Sequence, residues 1–230
     1  MSSNRLLEYA LATMGTATIA ALVWFETDPE WVVAGCALLV VALMTTVWLI
    51  GHEIFLLQAM AVLGISAFRI SMHNFYRLNE PFSSSLTGAI WAIGLLAVAV
   101  PLAFLVRGRQ FAGLPPWAAA ITRHPEQPLF FVPVILLVVL FFLKLSGFKM
   151  TMAWFGEGFV VFILALWAKE RSFRLTGLAL MMLCIGKLGY DTLSFKDPLV
   201  RTTAWIGIGL LVLVVSFLYG KNREALRDYL

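Results

Sequence analysis

Near the C-terminal end an apolar stretch is interrupted by a cation and an anion: in CIGKLGYDTLSF (184–195), Lys187 and Asp191 stand one helical turn apart. At i and i+4 they share a helix face and can pair, for about 0.2–0.5 kcal/mol on a water-exposed helix. In lipid the main effect of pairing is to lower the cost of burying either charge. Depth makes the lysine notable. Twelve uncharged residues separate Arg174 from Lys187; that is about 18 Å of helix, against a hydrocarbon core of about 30 Å. One of the two charges therefore starts inside the membrane. In one reading Lys187 snorkels outward while Asp191 anchors the helix end. In a second, Lys187 turns inward and binds an anionic group such as a lipid phosphate, a carboxylate or an acidic residue of a partner. A catalytic lysine is the weakest reading, since nothing nearby supplies a nucleophile or a second base.

Three further residues could join it. Arg69 is embedded in another apolar stretch, and His73 follows it by four residues and reads as interfacial. Glu157, flanked by glycines in WFGEGF, falls at the outer start of a span expected over 152–168. Headgroup-level solvation accounts for it most simply, with a proton or cation site as the alternative. The candidate ligand-binding set is thus Arg69, His73, Glu157, Lys187 and Asp191. No catalytic residue, metal or cofactor is expected. The three histidines, His52, His73 and His124, are dispersed, and neither His-x-x-x-His nor Cys-x-x-Cys spacing occurs. Cys36 and Cys184 each lie inside an apolar run, where a thiol behaves as a small hydrophobe. Phosphate-cradling glycine loops, Gly-x-Ser-x-Gly elbows and paired catalytic carboxylates are absent from the sequence.

The elements that must position these residues follow from composition. Of 230 residues, 61% are hydrophobic and 13% charged, outside the range of a water-soluble domain. Apolar runs recur at 5–25, 31–51, 54–73, 86–106, 129–146, 152–168, 172–192 and 200–220, each able to cross a bilayer. The first is read as a retained helix, because it is long, has only Arg5 as a positive flank and lacks a small-x-small cleavage site. One long connection, 107–128, rich in Pro and Gly, reads as a surface linker. Pro101 is expected to loosen the fourth span, and Pro133 to fit the first turn of the fifth. Small residues in the first span, among them Ala12, Gly15, Thr16 and Ala20, permit close packing at an internal seam or a subunit interface.

Eight spans put both termini on one side. Lysines and arginines divide ten to seven between the faces, which favours cytoplasmic termini. The net charge of +4 is attributed to this orientation and to anionic headgroups, and nucleic acid is not expected as a partner.

Self-comparison adds a repeat. Setting the third span on the seventh places Arg69 on Lys187 and His73 on Asp191; in the same order Trp31 falls on Trp154, Gly35 on Gly158 and Gly94 on Gly209. Duplication of four helices preserves orientation. The expected fold is an all-α polytopic membrane protein of about eight transmembrane helices in two parallel four-helix repeats. The first covers 1–106, the linker 107–128 follows, and the second covers 129–230 with a short basic tail.

The segment 173–230 resembles the closing part of a family of bacterial multi-pass membrane proteins of unknown function. The matching positions are Arg174, Gly177, Leu178, Lys187, Asp191, Arg201 and Tyr219. The resemblance implies the architecture and a bacterial inner (cytoplasmic) membrane, and supplies no catalytic residue. Family members are usually longer. With short loops and no reaction centre, the leading expectation is a non-enzymatic scaffold or accessory subunit whose partners are membrane lipids and other membrane subunits. The alternatives are a small transporter or channel for an anionic solute or lipid using Arg69 and Lys187, and, more weakly, an enzyme acting on lipid-linked substrates.

Overall fold

A computed structural model describes residues 3–78, 84–107, 119, 123–168, 170–194 and 198–221, and among these there is no strand. The helices are α1 (Ser3–Glu26), α2 (Val32–Ile50), α3 (Glu53–Arg69), α4 (Ser85–Val106), α5 (Glu126–Lys144), α6 (Phe148–Ala168), α7 (Arg171–Ser194) and α8 (Pro198–Lys221). Among the described residues, seven stretches, one in each of α1 to α7, are long and apolar enough to cross a membrane. The chain is therefore an all-helical, multi-pass membrane protein.

Two compact units form, Met1–Lys144 and Leu145–Leu230. In the first, α2 is central and packs on α1, α3 and α4, while α5 closes against α3 and α4. The contact stripes follow a three-four spacing. Val33, Ala37, Val40, Met44 and Val47 are fully buried on α2, and Ala89, Ala92, Leu96, Ala99 and Ala103 are buried on α4. Alanines on that stripe let the two backbones approach, which is how helices gain contact where lipid is as apolar as the side chains. Packing thus joins α5 to α1–α4, whereas the repeat read from the sequence opens its second copy at residue 129.

Helix ends explain where the structure departs from the sequence reading. The chain turns between α2 and α3 through Gly51, whose φ of 81° is left-handed and suits glycine as a helix terminator. Beyond Arg69, α3 passes into a π-helical turn, Ile70–Asn74, a geometry that often marks a functional or strained position. α5 starts at Glu126, ahead of the expected residue 129, so Pro133 lies within the helix and not in its first turn. Glu126 is favoured there by the helix dipole, and Pro128 sits in the first turn, where its missing N–H costs nothing. α6 starts at Phe148, directly after Gly147 with φ 54°, ahead of the expected residue 152.

In the second unit α6 and α7 form the main contact, and α8 packs more lightly on α7. Met150, Trp154, Val161, Phe162 and Ala165 on α6 face Phe173, Leu180, Met181, Cys184 and Leu188 on α7, all buried. Glycines set the separation. A Cβ on Gly158 would stand 3.0 Å from the Leu180 Cβ, and one on Gly177 would stand 2.8 Å from the Phe162 nitrogen.

Candidate functional site

Polar side chains collect at three places. The first is the end of the first unit that carries the α1–α2 turn. Arg69, from the last turn of α3, donates from Nη2 to the Pro29 carbonyl at 2.9 Å. Its guanidinium also lies 4.1 Å from the centre of the Trp24 ring, a cation–π contact of about 0.5–2 kcal/mol depending on desolvation. The π-turn brings Asn74, fully buried, between two backbone acceptors: its Nδ2 donates to the Glu30 carbonyl at 3.0 Å and to the Ser85 carbonyl at 3.2 Å. The Glu30 carboxylate accepts from the Ser84 backbone N–H at 2.5 Å and from the Ser84 hydroxyl, so an acid caps the start of α4. Gly88 makes the approach possible, since a Cβ there would fall 2.2 Å from the Glu30 carbonyl oxygen. Lys144 closes the same end by donating from Nζ to the Leu78 carbonyl. An anion seeking Arg69 would compete with Trp24 and Pro29.

The second place is the opposite end of that unit, where α2 turns into α3. Glu126 is only 1% exposed. Its Oε1 lies 3.6 Å from Arg107 Nε and 3.2 Å from His124 Nδ1. Tyr9 donates its hydroxyl to Glu53 Oε1 at 2.5 Å. From there a polar ladder climbs into the span: Thr16 donates to Gln58 Oε1 at 2.7 Å, and Gln58 Nε2 donates to Thr13 Oγ1 at 3.3 Å. These bonds hold α1 to α3 although no residue of the apolar stretch of α1 is buried. Beside Glu126, an apolar groove of about 420 Å³ is lined by Met60, Leu63 and Gly64 of α3, by Pro128 and Val132 of α5, and by His124.

The third place is inside the second unit. Because α6 begins at Phe148, Glu157 falls near the middle of the apolar stretch Lys149–Leu166, whereas the sequence reading placed it at the outer start of a span over 152–168. The physical reason is that Lys149 belongs to the helix, where a lysine near a span end can extend its ammonium to the interface. Glu157 is 8% exposed, and neither carboxylate oxygen has a hydrogen-bond partner among the described residues. Cys184 of α7 lies within electrostatic reach of it.

Of the five sequence candidates, Arg69 and His73 sit in the first unit, and Glu157, Lys187 and Asp191 in the second. Lys187 is half-buried on α7, while the side chain of Asp191, and with it the proposed pair, lies outside the described residues. Asn74, Glu30 and Glu126 were not singled out from the sequence. Asn74 could have been found as a polar residue ending an apolar run beside His73, and Glu126 as an acid placed to start a helix in HPEQP. Among the described residues, no three His, Cys, Asp or Glu side chains converge as a metal site would require. Comparison of the chain with protein-family models, with curated proteins and with solved structures gives no significant match in any of the three.

Proposed function

We propose that this chain is a non-enzymatic accessory subunit or scaffold of a larger assembly in a bacterial inner membrane, with both termini cytoplasmic. Two parallel four-helix repeats, akin to the bacterial membrane family that 173–230 resembles, are part of the same proposal. The observation that carries it is the state of α1. Its apolar stretch has no buried residue, and side-chain hydrogen bonds from Tyr9 and Thr16 fix it in place. Its remaining surface presents Gly15, which has no atom within 4 Å of a Cβ position, together with the exposed Ala17, Thr18 and Ala21. Small residues on an uncovered transmembrane face suit contact with another helix. Engagement of Arg69 by Trp24 and Pro29 favours this reading over an anion path through Arg69 and Lys187.

Extraction of native membranes into polymer-bounded discs, followed by mass measurement of the intact particle, tests the proposal. A membrane partner in fixed stoichiometry is expected, and Gly15→Leu should release it while leaving the helical content unchanged. A lone chain in every preparation, or an intact complex with Gly15→Leu, overturns the role assigned to α1. Anion uptake by proteoliposomes of the lone chain, lost with Arg69→Gln and Lys187→Gln, would establish transport in its place.

A further inference from the structure

We propose that Glu157 is a proton-binding site at mid-depth in the membrane: a carboxyl group that the α6–α7 pair holds in its neutral acid form. This goes beyond the accessory role and does not depend on it.

Three observations converge. Glu157 lies near the centre of the apolar stretch Lys149–Leu166, so neither end of α6 brings its side chain to a headgroup. It is 8% exposed, and both carboxylate oxygens are buried without a hydrogen-bond donor among the described residues. Among the described residues, the titratable group that faces it from α7 is the Cys184 thiol. The two helices cross closely beside it, where Gly158 and Gly177 leave no room for a Cβ. A carboxylate anion with no counter-charge and no donor is too costly to retain in such a medium, so the group keeps its proton.

Glu126 supplies the internal contrast. It is buried at least as deeply, at 1% exposure, but Arg107 Nε and His124 Nδ1 stand beside its Oε1. Two buried glutamates in one chain therefore differ in their access to a counter-charge, and the difference is chemically readable. A carbodiimide reacts with the acid form. The carboxyl proton moves to one carbodiimide nitrogen, the carboxyl oxygen bonds to the central carbon, and the acyl group then migrates from oxygen to nitrogen as a stable N-acylurea. Every atom of both reactants is retained, and nothing is oxidised or reduced.

The experiment treats the full chain, in phosphatidylcholine discs at neutral pH, with dicyclohexylcarbodiimide and maps the adduct by peptide mass. Glu157 should take the label at least about tenfold faster than Glu126 or the exposed Glu8. A water-soluble carbodiimide should leave Glu157 untouched. Infrared spectra of the same sample should show a protonated carboxyl stretch that shifts in D2O and vanishes in Glu157→Gln. Labelling of Glu157 no faster than Glu126, or no labelling at all, overturns the assignment; this readout uses the natural chain and stands even if the variant fails to fold.

Discussion

Replacing Gly177 by alanine adds one methyl group at the closest crossing of α6 and α7. The new Cβ would lie 2.8 Å from the Phe162 nitrogen, 2.9 Å from the Gly158 carbonyl oxygen and 2.9 Å from the Phe162 Cα. All three are backbone atoms, so no rotamer change relieves the clash. Ordinary contact begins near 3.4 Å, so the helices must part by about 0.6 Å at this point. Interiors pack too densely to absorb that locally, and overpacking of this kind costs about 1–3 kcal/mol. The backbone effect of Gly→Ala in a helix has the opposite sign, about 0.4–1 kcal/mol of stabilisation. Gly186, on the same helix with nothing within 4 Å of its Cβ position, isolates that term. Gly186→Ala should therefore raise stability while Gly177→Ala lowers it. Reversible unfolding in mixed micelles, followed by circular dichroism and by the fluorescence of the buried Trp154, reads both. A Gly177→Ala chain as stable as Gly186→Ala would refute the close crossing of α6 and α7 beside Glu157.

Arg69→Lys keeps the charge but loses the planar stacking on Trp24 and the geometry of the Pro29 bond. The expected loss is about 0.5–2 kcal/mol, read as a lower midpoint in the same unfolding assay and a change in Trp24 emission. Asn74→Ala leaves the Glu30 and Ser85 carbonyls without their buried donor and should cost about 1–3 kcal/mol, whereas the exposed Ser71→Ala serves as a near-neutral control. A double-mutant cycle of Thr16→Val with Gln58→Leu should return a coupling of about 0.6 kcal/mol, the usual size for a hydrogen bond between membrane helices. Zero coupling would mean that α1 is held by something other than the polar ladder.

Seven of the eight expected spans return, among the described residues, as helices long and apolar enough to cross a membrane, legible because lipid demands long uncharged segments. Their limits slipped where a polar residue belongs to the helix, as Glu126 and Lys149 do. Hydropathy could not tell which face of each helix turns inward. Leu38, Phe68 and Ile90 are exposed on α2, α3 and α4, and they are as apolar as the buried Val40, Leu63 and Ile93. The readable signal was residue size: alanines at three-four spacing on α4, from Ala89 to Ala103, mark the face that meets α2. Arg69 was legible as an embedded cation, and Trp24 is an aromatic near the end of the first span. Nothing in a single sequence says that two such residues, so far apart along the chain, stack on each other.

Glu157 shows how much rests on one helix boundary. Moving the start of α6 from residue 152 to Phe148 shifts depth by about 6 Å at 1.5 Å per residue. That distance moves Glu157 from the start of the span to its middle. Several polar groups that enter the first unit find a partner there: Arg69 the Pro29 carbonyl, Asn74 the carbonyls of Glu30 and Ser85, Glu126 the side chains of Arg107 and His124, and Gln58, within the span, the hydroxyls of Thr13 and Thr16. At mid-depth the neighbouring backbone N–H groups are already engaged in their own helices and have nothing left to donate to an anion. A glutamate placed there keeps its solubility in the membrane only by keeping its proton, so the same residue type acts as a cap or an ion-pair partner at the ends and as an acid in the middle.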